Sequence, residues 1–281
     1  MNKTYHPLLL SPTWRVVDQS LPDPSFRALE SFAIDDTLCE AVGKEHSAPI
    51  LRSWVHHETI VLGIQDARLP GIEQAVRSAH TLGYDVIVRN SGGLAVALDE
   101  DVLNISLICK EPKSAMISQG YESMVALLRA VLAKEGIAFD VGEIEGSYCP
   151  GSYDLSIHGR KFAGISQRRI RGAVAVQVYL GVKRSGAERA KIVQALYDIA
   201  VQDKSETFVP TIKPEVMGSL EELTGIPLSH SDLMQHVYTV LADIGATVQA
   251  SALTEAESER LVSYRQRILD RNTGVYMEPI K

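Results

Sequence analysis

Cysteine is scarce in this sequence: Cys39, Cys109 and Cys149 are the only three in 281 residues. Three scattered thiols build neither a disulfide framework nor a zinc cluster, so a reducing, cytoplasmic setting is expected. Long apolar runs are missing as well. Leu8-Leu9-Leu10 is followed at once by Pro12 and closed by Asp18, so no signal-peptide core and no membrane span is expected there. Positive charge is also in deficit. Twenty-eight Lys and Arg against 35 Asp and Glu leave a net charge of −7. That argues against nucleic-acid binding, which draws on many phosphate-neutralising cations. Neither internal repeats nor low-complexity linkers are present.

What is there is a globular chain, 45% hydrophobic and 22% charged, long enough for one large domain or one and a half. Apolar spacing predicts a helix over Phe26–Val42. Two strand-like runs follow, Leu51–His56 and Thr59–Ile64, with His57-Glu58 as the turn between them. A helix carrying Ile72, Ala75, Val76 and Ala79 stops at Gly83, where glycine accepts a left-handed conformation. Strands are expected over Tyr84–Arg89, Leu94–Leu98 and Leu103–Ile108, then an amphipathic helix through Tyr121, Leu128 and Leu132. A meander comes next: Tyr153–Ile157, Lys161–Arg168 and Ala173–Leu180, turned at His158-Gly159 and Arg171-Gly172. Val193, Leu196 and Tyr197 mark another helix. Past Pro210, helices are read from Asp232 and Thr254, the latter with a capping box to Glu257. The expected class is α+β: a mixed-sheet body over 1–204, flanked by helices, with a small helical C-terminal appendage over 205–281.

Four places can carry chemistry. Arg89-Asn90-Ser91-Gly92-Gly93-Leu94-Ala95-Val96 lies between two strands, which excludes a dinucleotide fingerprint, and P-loop spacing is absent. Its paired glycines fit either a hairpin turn or a backbone that approaches a ligand closely; Arg89 could meet an anion, a carbonyl or a surface carboxylate. Cys39 falls within a helix and Cys109 ends an apolar strand, so both read as small buried apolar residues. Cys149 instead lies in a Gly- and Pro-containing loop, where it is either a nucleophile or an inert loop thiol. Lys161 is brought back toward that loop by the His158-Gly159 turn, as a site cation or base or as a solvated strand-end lysine. Finally, Arg160, Lys161, Arg168, Arg169 and Arg171 occur without an intervening carboxylate. That run is a solvated hairpin face or a patch that steers an acidic partner. His56 and His57 point to opposite faces of a strand and lack a third ligand, so no metal site is expected.

In order along the chain, three segments resemble the lipoate–biotin protein ligase superfamily. Arg52-Ser53-Trp54 with Val61-Leu62-Gly63-Ile64-Gln65 is similar to its R-x-W … V-x-L-G-x-Q strands. Arg89–Asp99 with Leu103-Asn104-Ile105-Ser106 resembles its R-x-S-G-G-G-x-V-x-H-D … L-N-x-S segment. Gly159-Arg160-Lys161-Phe162-Ala163-Gly164-Ile165-Ser166-Gln167-Arg168 resembles G-x-K-I-x-G-x-x-Q-R. Leu94 replaces the third glycine and Leu98 the histidine, so ATP activation and a cofactor are not expected. The Glu145–Asp154 loop instead resembles the nucleophile loop of the cysteine-dependent amidotransferase branch. This resemblance implies a ligase-like fold related to class II synthetases, Cys149 as nucleophile and Lys161 as its catalytic partner. Arg89, Ser91, Gly92, Gly93, Ala95 and Gly164 are implied to line the substrate pocket. It further implies octanoylated glycine cleavage H protein as donor and the lipoyl domains of 2-oxo acid dehydrogenase acyltransferase subunits as acceptors. The alternatives are direct transfer from octanoyl-acyl carrier protein, an ATP-dependent ligase, or a non-catalytic acyl- or lipoyl-domain-binding module.

Overall fold

The computed structural model describes residues 5–23, 25–112, 114–201 and 209–273. From the N-terminus, β1 (Thr13–Gln19) leads to α1 (Ala28–Gly43), β2 (Ile50–Trp54), β3 (Thr59–Leu62) and α2 (Ile72–Thr81). Then come β4 (Asp85–Val88), β5 (Val96–Leu98), β6 (Val102–Lys110), α3 (Ile117–Leu132) and β7 (Asp140–Val141). The meander β8 (Leu155–Ile157), β9 (Arg160–Ile170) and β10 (Ala173–Gly181) precedes α4 (Gly186–Ala200). The C-terminal part holds α5 (Leu220–Thr224), α6 (His230–Asp243), β11 (Thr247–Ala250) and α7 (Glu255–Asn272).

Eight strands form a mixed sheet in the order β11-β1-β2-β6-β10-β9-β8-β7, and a smaller sheet has the order β4-β3-β5. Period-two alternation on β6 and β10 decides what each face of the large sheet receives. Leu103, Ile105 and Leu107 with Val174, Val176 and Val178 pack against Leu127 and Leu128 of α3 and Leu233 and Val237 of α6. On the opposite face the small residues Ala173 and Ala175, with Ile108, let α1 approach closely through Ile34, Leu38 and Cys39. The second core lies between the small sheet, α2 and α4, and includes Phe32 of α1.

Helix α1 is therefore buried on nearly every side, more than its sequence pattern implies. Its acidic groups survive there because each meets a cation. Asp35 receives Arg52 Nη1 at 2.7 Å, Asp36 receives Arg168 Nε at 2.8 Å, and Glu40 receives Lys44 Nζ at 2.6 Å.

Both meander turns use left-handed residues where the sequence places them: His158 (φ 51°) with Gly159 (φ 73°), and Arg171 (φ 55°) with Gly172 (φ 80°). The runs on either side of the His57-Glu58 turn go to different sheets, β2 to the large one and β3 to the small one. Two local readings need correction. The helix read from Asp232 is capped earlier, by Ser229, whose Oγ accepts the Asp232 amide at 3.1 Å. The C-terminal stretch read as helical also supplies β11, which pairs in parallel with β1. The boundary expected at 204/205 lies outside the described residues. No helix among the described residues is long and apolar enough to cross a membrane.

Candidate active site

The glycine-rich turn joins β4 to β5, which lie on either side of β3 and do not pair with each other. It is thus no hairpin: it passes over the end of β3. Gly63, the residue after β3, makes the crossing possible, because a Cβ there would stand 2.0 Å from the Gly93 carbonyl oxygen. Two contacts fix the turn from outside, and a third holds one of its partners. Asn90 Nδ2 donates to Asp36 at 2.9 Å. The Ala95 amide donates to the Tyr197 hydroxyl at 3.2 Å, and Tyr197 donates to Asp66 Oδ1 at 2.8 Å. Burial raises the Asp66 carboxyl above its usual range, with the Gly63 amide and Tyr197 opposing.

The second half of the site is the loop between β7 and β8. Asp154 gathers it, accepting the Gly151 amide at 3.1 Å and the Ile144 amide at 3.4 Å. Lys161 on β9 reaches the same loop after the His158-Gly159 turn, since Lys161 faces Ser156 across the β8–β9 pair. It is 2% exposed. Its Nζ donates to the Tyr148 carbonyl at 3.0 Å and the Cys149 carbonyl at 2.8 Å, and pairs with Asp154 Oδ1 at 2.9 Å. The Ser147 hydroxyl lies 3.5 Å from the same nitrogen, so four oxygens surround an ammonium that has three protons. Gly164 leaves the room, for a Cβ there would lie 3.3 Å from Lys161 Cε. Tyr148 is tied down by its hydroxyl, which donates to Tyr179 at 2.5 Å.

Cys149 is the one cysteine that is not buried, and its φ of 45° is a left-handed conformation that a non-glycine residue adopts at a cost. Its Sγ faces the glycine-rich turn, where the Leu94 amide donates to it at 3.0 Å and Arg89 Nη2 at 3.5 Å. Gly93 is required at this contact: its φ is 101°, and a Cβ would meet Arg89 Nη2 at 2.3 Å and Cys149 Sγ at 2.8 Å. At Gly92 a Cβ would meet nothing within 4 Å, so only the second glycine is needed for packing. The other thiols are chemically quiet. Burial pushes Cys109 up to about 12 and Cys39 well above the ordinary thiol value, the latter with Asp35 and Asp36 adding to the effect.

Between turn and loop opens a cleft of about 200 Å³, open to solvent. Cys149, Lys161, Arg89, Gly92, Gly93 and Gly164 all line it, together with Phe32, Trp54, Val61 and Leu98. Ser91 and Ala95 are not among its lining residues; both are buried behind the turn, and Ala95 acts through its amide. Asp154, Tyr148, Tyr179 and the Leu94 amide were not picked out from sequence. Asp154 stands at the end of the quoted loop, but nothing in its spacing shows that it folds back. The basic run is not a free patch. Arg168 is paired with Asp36, Arg169 with Glu111 and Arg171 with Glu40, while Arg160 donates to the Met217 carbonyl.

A glycine-rich turn from the small sheet and a loop thiol from the edge of the large one thus face a partly apolar cleft. Residues 27–242 match the lipoyl protein ligase A/B catalytic domain, and the chain belongs to that family. It is 52% identical over 269 residues to an octanoyl-[GcvH]:protein N-octanoyltransferase of Exiguobacterium sibiricum, covering 95% of this chain and 98% of that one. The protein of the same name from Bacillus velezensis is 50% identical over 98% of both chains, and that of Staphylococcus aureus 42% over 92% and 93%. Among solved structures, lipoate-protein ligase A bound with ATP superposes with a TM-score of 0.71 at 17% identity, covering 94% of this chain and 100% of that one. A lipoate protein ligase from Thermoplasma acidophilum with bound lipoic acid gives 0.68 at 16%, covering 91% and 95%. These structures share the fold.

Proposed function

We propose that this chain moves an octanoyl group from the lysine of octanoylated glycine cleavage H protein (GcvH) to lysines of lipoyl domains, through a thioester on Cys149. The chain is an acyltransferase of protein lipoylation, as its relatives' name over nearly the whole length indicates. What supports the covalent route most is the placement of Cys149, the one accessible thiol, at an apolar cleft with two donors on its sulfur. The octanoyl tail enters the cleft, and each buried CH₂ favours binding by about 0.8 kcal/mol. The sulfur bonds to the amide carbon as the C–N bond breaks. The departing nitrogen takes a proton from the Lys161–Asp154 pair and leaves as a neutral amine. The acceptor lysine, its ammonium proton already lost to water, gives a proton back to the pair as it attacks the thioester and the C–S pair returns to sulfur. The two half-reactions mirror each other. Bond broken and bond made are both lysine amides, so the exchange is nearly isoergic and calls for no ATP. We place the activity in the cytoplasm, where the three free thiols stay reduced.

Intact-protein mass spectrometry after mixing with octanoylated H protein, without ATP, tests this. One added octanoyl group, labile to hydroxylamine and absent in Cys149→Ala, is expected. A gain only from octanoyl-acyl carrier protein would make the chain a direct octanoyltransferase. A gain from neither would overturn the thioester.

A further inference from the structure

Under the acyl-transfer reading, the cleft receives a lysine that belongs to a folded protein. The charged residues that line it, Arg89, Asp154 and Lys161, are buried in its depth. Those that reach its mouth, among them Gly92, Gly93, Tyr121, Pro150 and Gly151, carry no charge, in a chain that is 22% charged. A lysine side chain spans only about 6 Å, so a domain whose lysine reaches Cys149 must rest on this mouth. On one side the backbone is bare. At Gly92 a Cβ would meet nothing within 4 Å and φ is not left-handed, so neither space nor conformation requires glycine there. On the other side stands α3. Tyr121 lines the cleft and stacks on Tyr153 of the cysteine loop, with centroids 4.5 Å apart and planes 9° from parallel. One turn earlier on the same helix face is Ile117, 64% exposed, beside Met116, 63% exposed. This turn is fastened to the body: Gln167 of β9 donates to the Ile117 carbonyl at 2.9 Å. Gly120 admits Gln167, for a Cβ there would lie 2.7 Å from its Nε2. Ile165 and Ser166, just before Gln167, line the cleft, so the exposed apolar pair is held at its mouth.

We propose that Met116 and Ile117, continued into the cleft by Tyr121, are the ridge on which the folded domain carrying the reacting lysine docks. The proposal rests on the acyl-transfer reading, which supplies the occupant: octanoylated H protein first and the acceptor domain after it, because both lysines must reach one sulfur. Burying two unpartnered apolar side chains drives the contact. An uncharged mouth loses little on desolvation, and a ridge already fixed by Gln167 has little freedom left to lose. The bare backbone at Gly92 leaves room for the lysine-bearing segment opposite the ridge. The matching surface is therefore apolar beside its lysine and places no charge against the ridge.

The rate of thioester formation on the full-length chain, followed by intact-protein mass spectrometry over a range of octanoylated H-protein concentrations, tests the ridge. Met116→Gln with Ile117→Gln removes apolar surface without adding charge. This pair is expected to raise the half-saturating concentration about tenfold or more, and to lower the saturated rate far less. Met116→Leu with Ile117→Leu keeps the apolar surface and should stay within about twofold of the parent. Val262→Gln is the control: Val262 is 69% exposed on α7, does not line the cleft, and its loss should leave the curve in place. If the glutamine pair shows a lower urea midpoint than the parent, Ile117→Gln alone decides, with a rise of about threefold or more expected. An unchanged half-saturating concentration, a loss confined to the saturated rate, or an equal loss in Val262→Gln overturns the proposal. A parent that takes no octanoyl group from H protein removes the acyl-transfer reading and the ridge's occupant with it. Uptake by the parent with the ridge variants unaffected removes the ridge alone.

Discussion

Several single residues here do work that their type alone does not announce. Cys149 holds a left-handed φ, a strain carried by the Lys161 bonds to its own carbonyl and to that of Tyr148. Gly93 is fixed by two neighbours from different segments, Arg89 and Cys149. His56, by contrast, is structural. Its ring bonds the Phe26 carbonyl and the Ser31 hydroxyl, each at 3.0 Å, and burial holds it down to about 3. The unfolded chain binds this proton from about 6.5 downward and the folded chain only near 3. Stability is therefore lost as pH falls through that window, by up to roughly 5 kcal/mol for this group. His56→Gln, which keeps polar contacts without titrating, should flatten the dependence of urea-unfolding free energy on pH between about 6.5 and 4. An unaltered slope would assign the acid sensitivity to other groups.

At the scale of elements, the site is a junction between two loops, each carried by its own sheet. The glycine-rich turn belongs to the small sheet and the cysteine loop to the edge of the large one, and Lys161 with Asp154 ties the latter to β9. Burial raises Asp154 above the usual carboxylate range, and Lys161 opposes that rise. Lys161→Met leaves this carboxylate buried and unpaired, which costs about 3–5 kcal/mol. The unpaired acid binds its proton more tightly folded than unfolded, so the variant should lose further stability as pH rises from about 4 to 7. Adding Asp154→Asn should recover part of the loss and remove the pH trend. If the double variant is no more stable than the single one, the two residues do not act as a pair.

Over the whole molecule, the C-terminal part does more than cover a core. Arg15 of β1 holds Glu257 of α7 through two bonds at 2.5 and 2.7 Å, and Tyr264 donates to Glu40 of α1 at 2.5 Å. At the far end of α7, the Asn272 side chain accepts the Val88 amide at 2.7 Å and donates to its carbonyl at 3.2 Å. Val88 is the last residue of β4, and Arg89 follows it. The final helix therefore buttresses the strand from which the site's arginine emerges. Asn272→Ala leaves a buried amide unpaired and should destabilise the chain by about 1–3 kcal/mol, seen as a lower urea midpoint. An unchanged midpoint would show that α7 is only loosely tied to β4.

The sequence by itself determined the elements whose cause is local. Left-handed pairs at His158-Gly159 and Arg171-Gly172 make the meander, Thr254 and Glu257 start α7, and Gly83 ends α2, because turns and caps are decided within a few residues. The motif order was enough to show a family and to single out Cys149 and Lys161. Tertiary structure decided what depends on distant partners. Only folding brings Asp36 to Arg168, Glu111 to Arg169 and Glu40 to Arg171, which turns a basic run into a set of ion pairs. Only folding splits β2 from β3 between two sheets and lays Gly93 across Gly63. It also decided which cation faces which atom. Lys161 and Arg89 carry the same charge in the sequence, but the acceptors around each, drawn from segments far apart in the chain, commit one to the cysteine loop and the other to the glycine-rich turn.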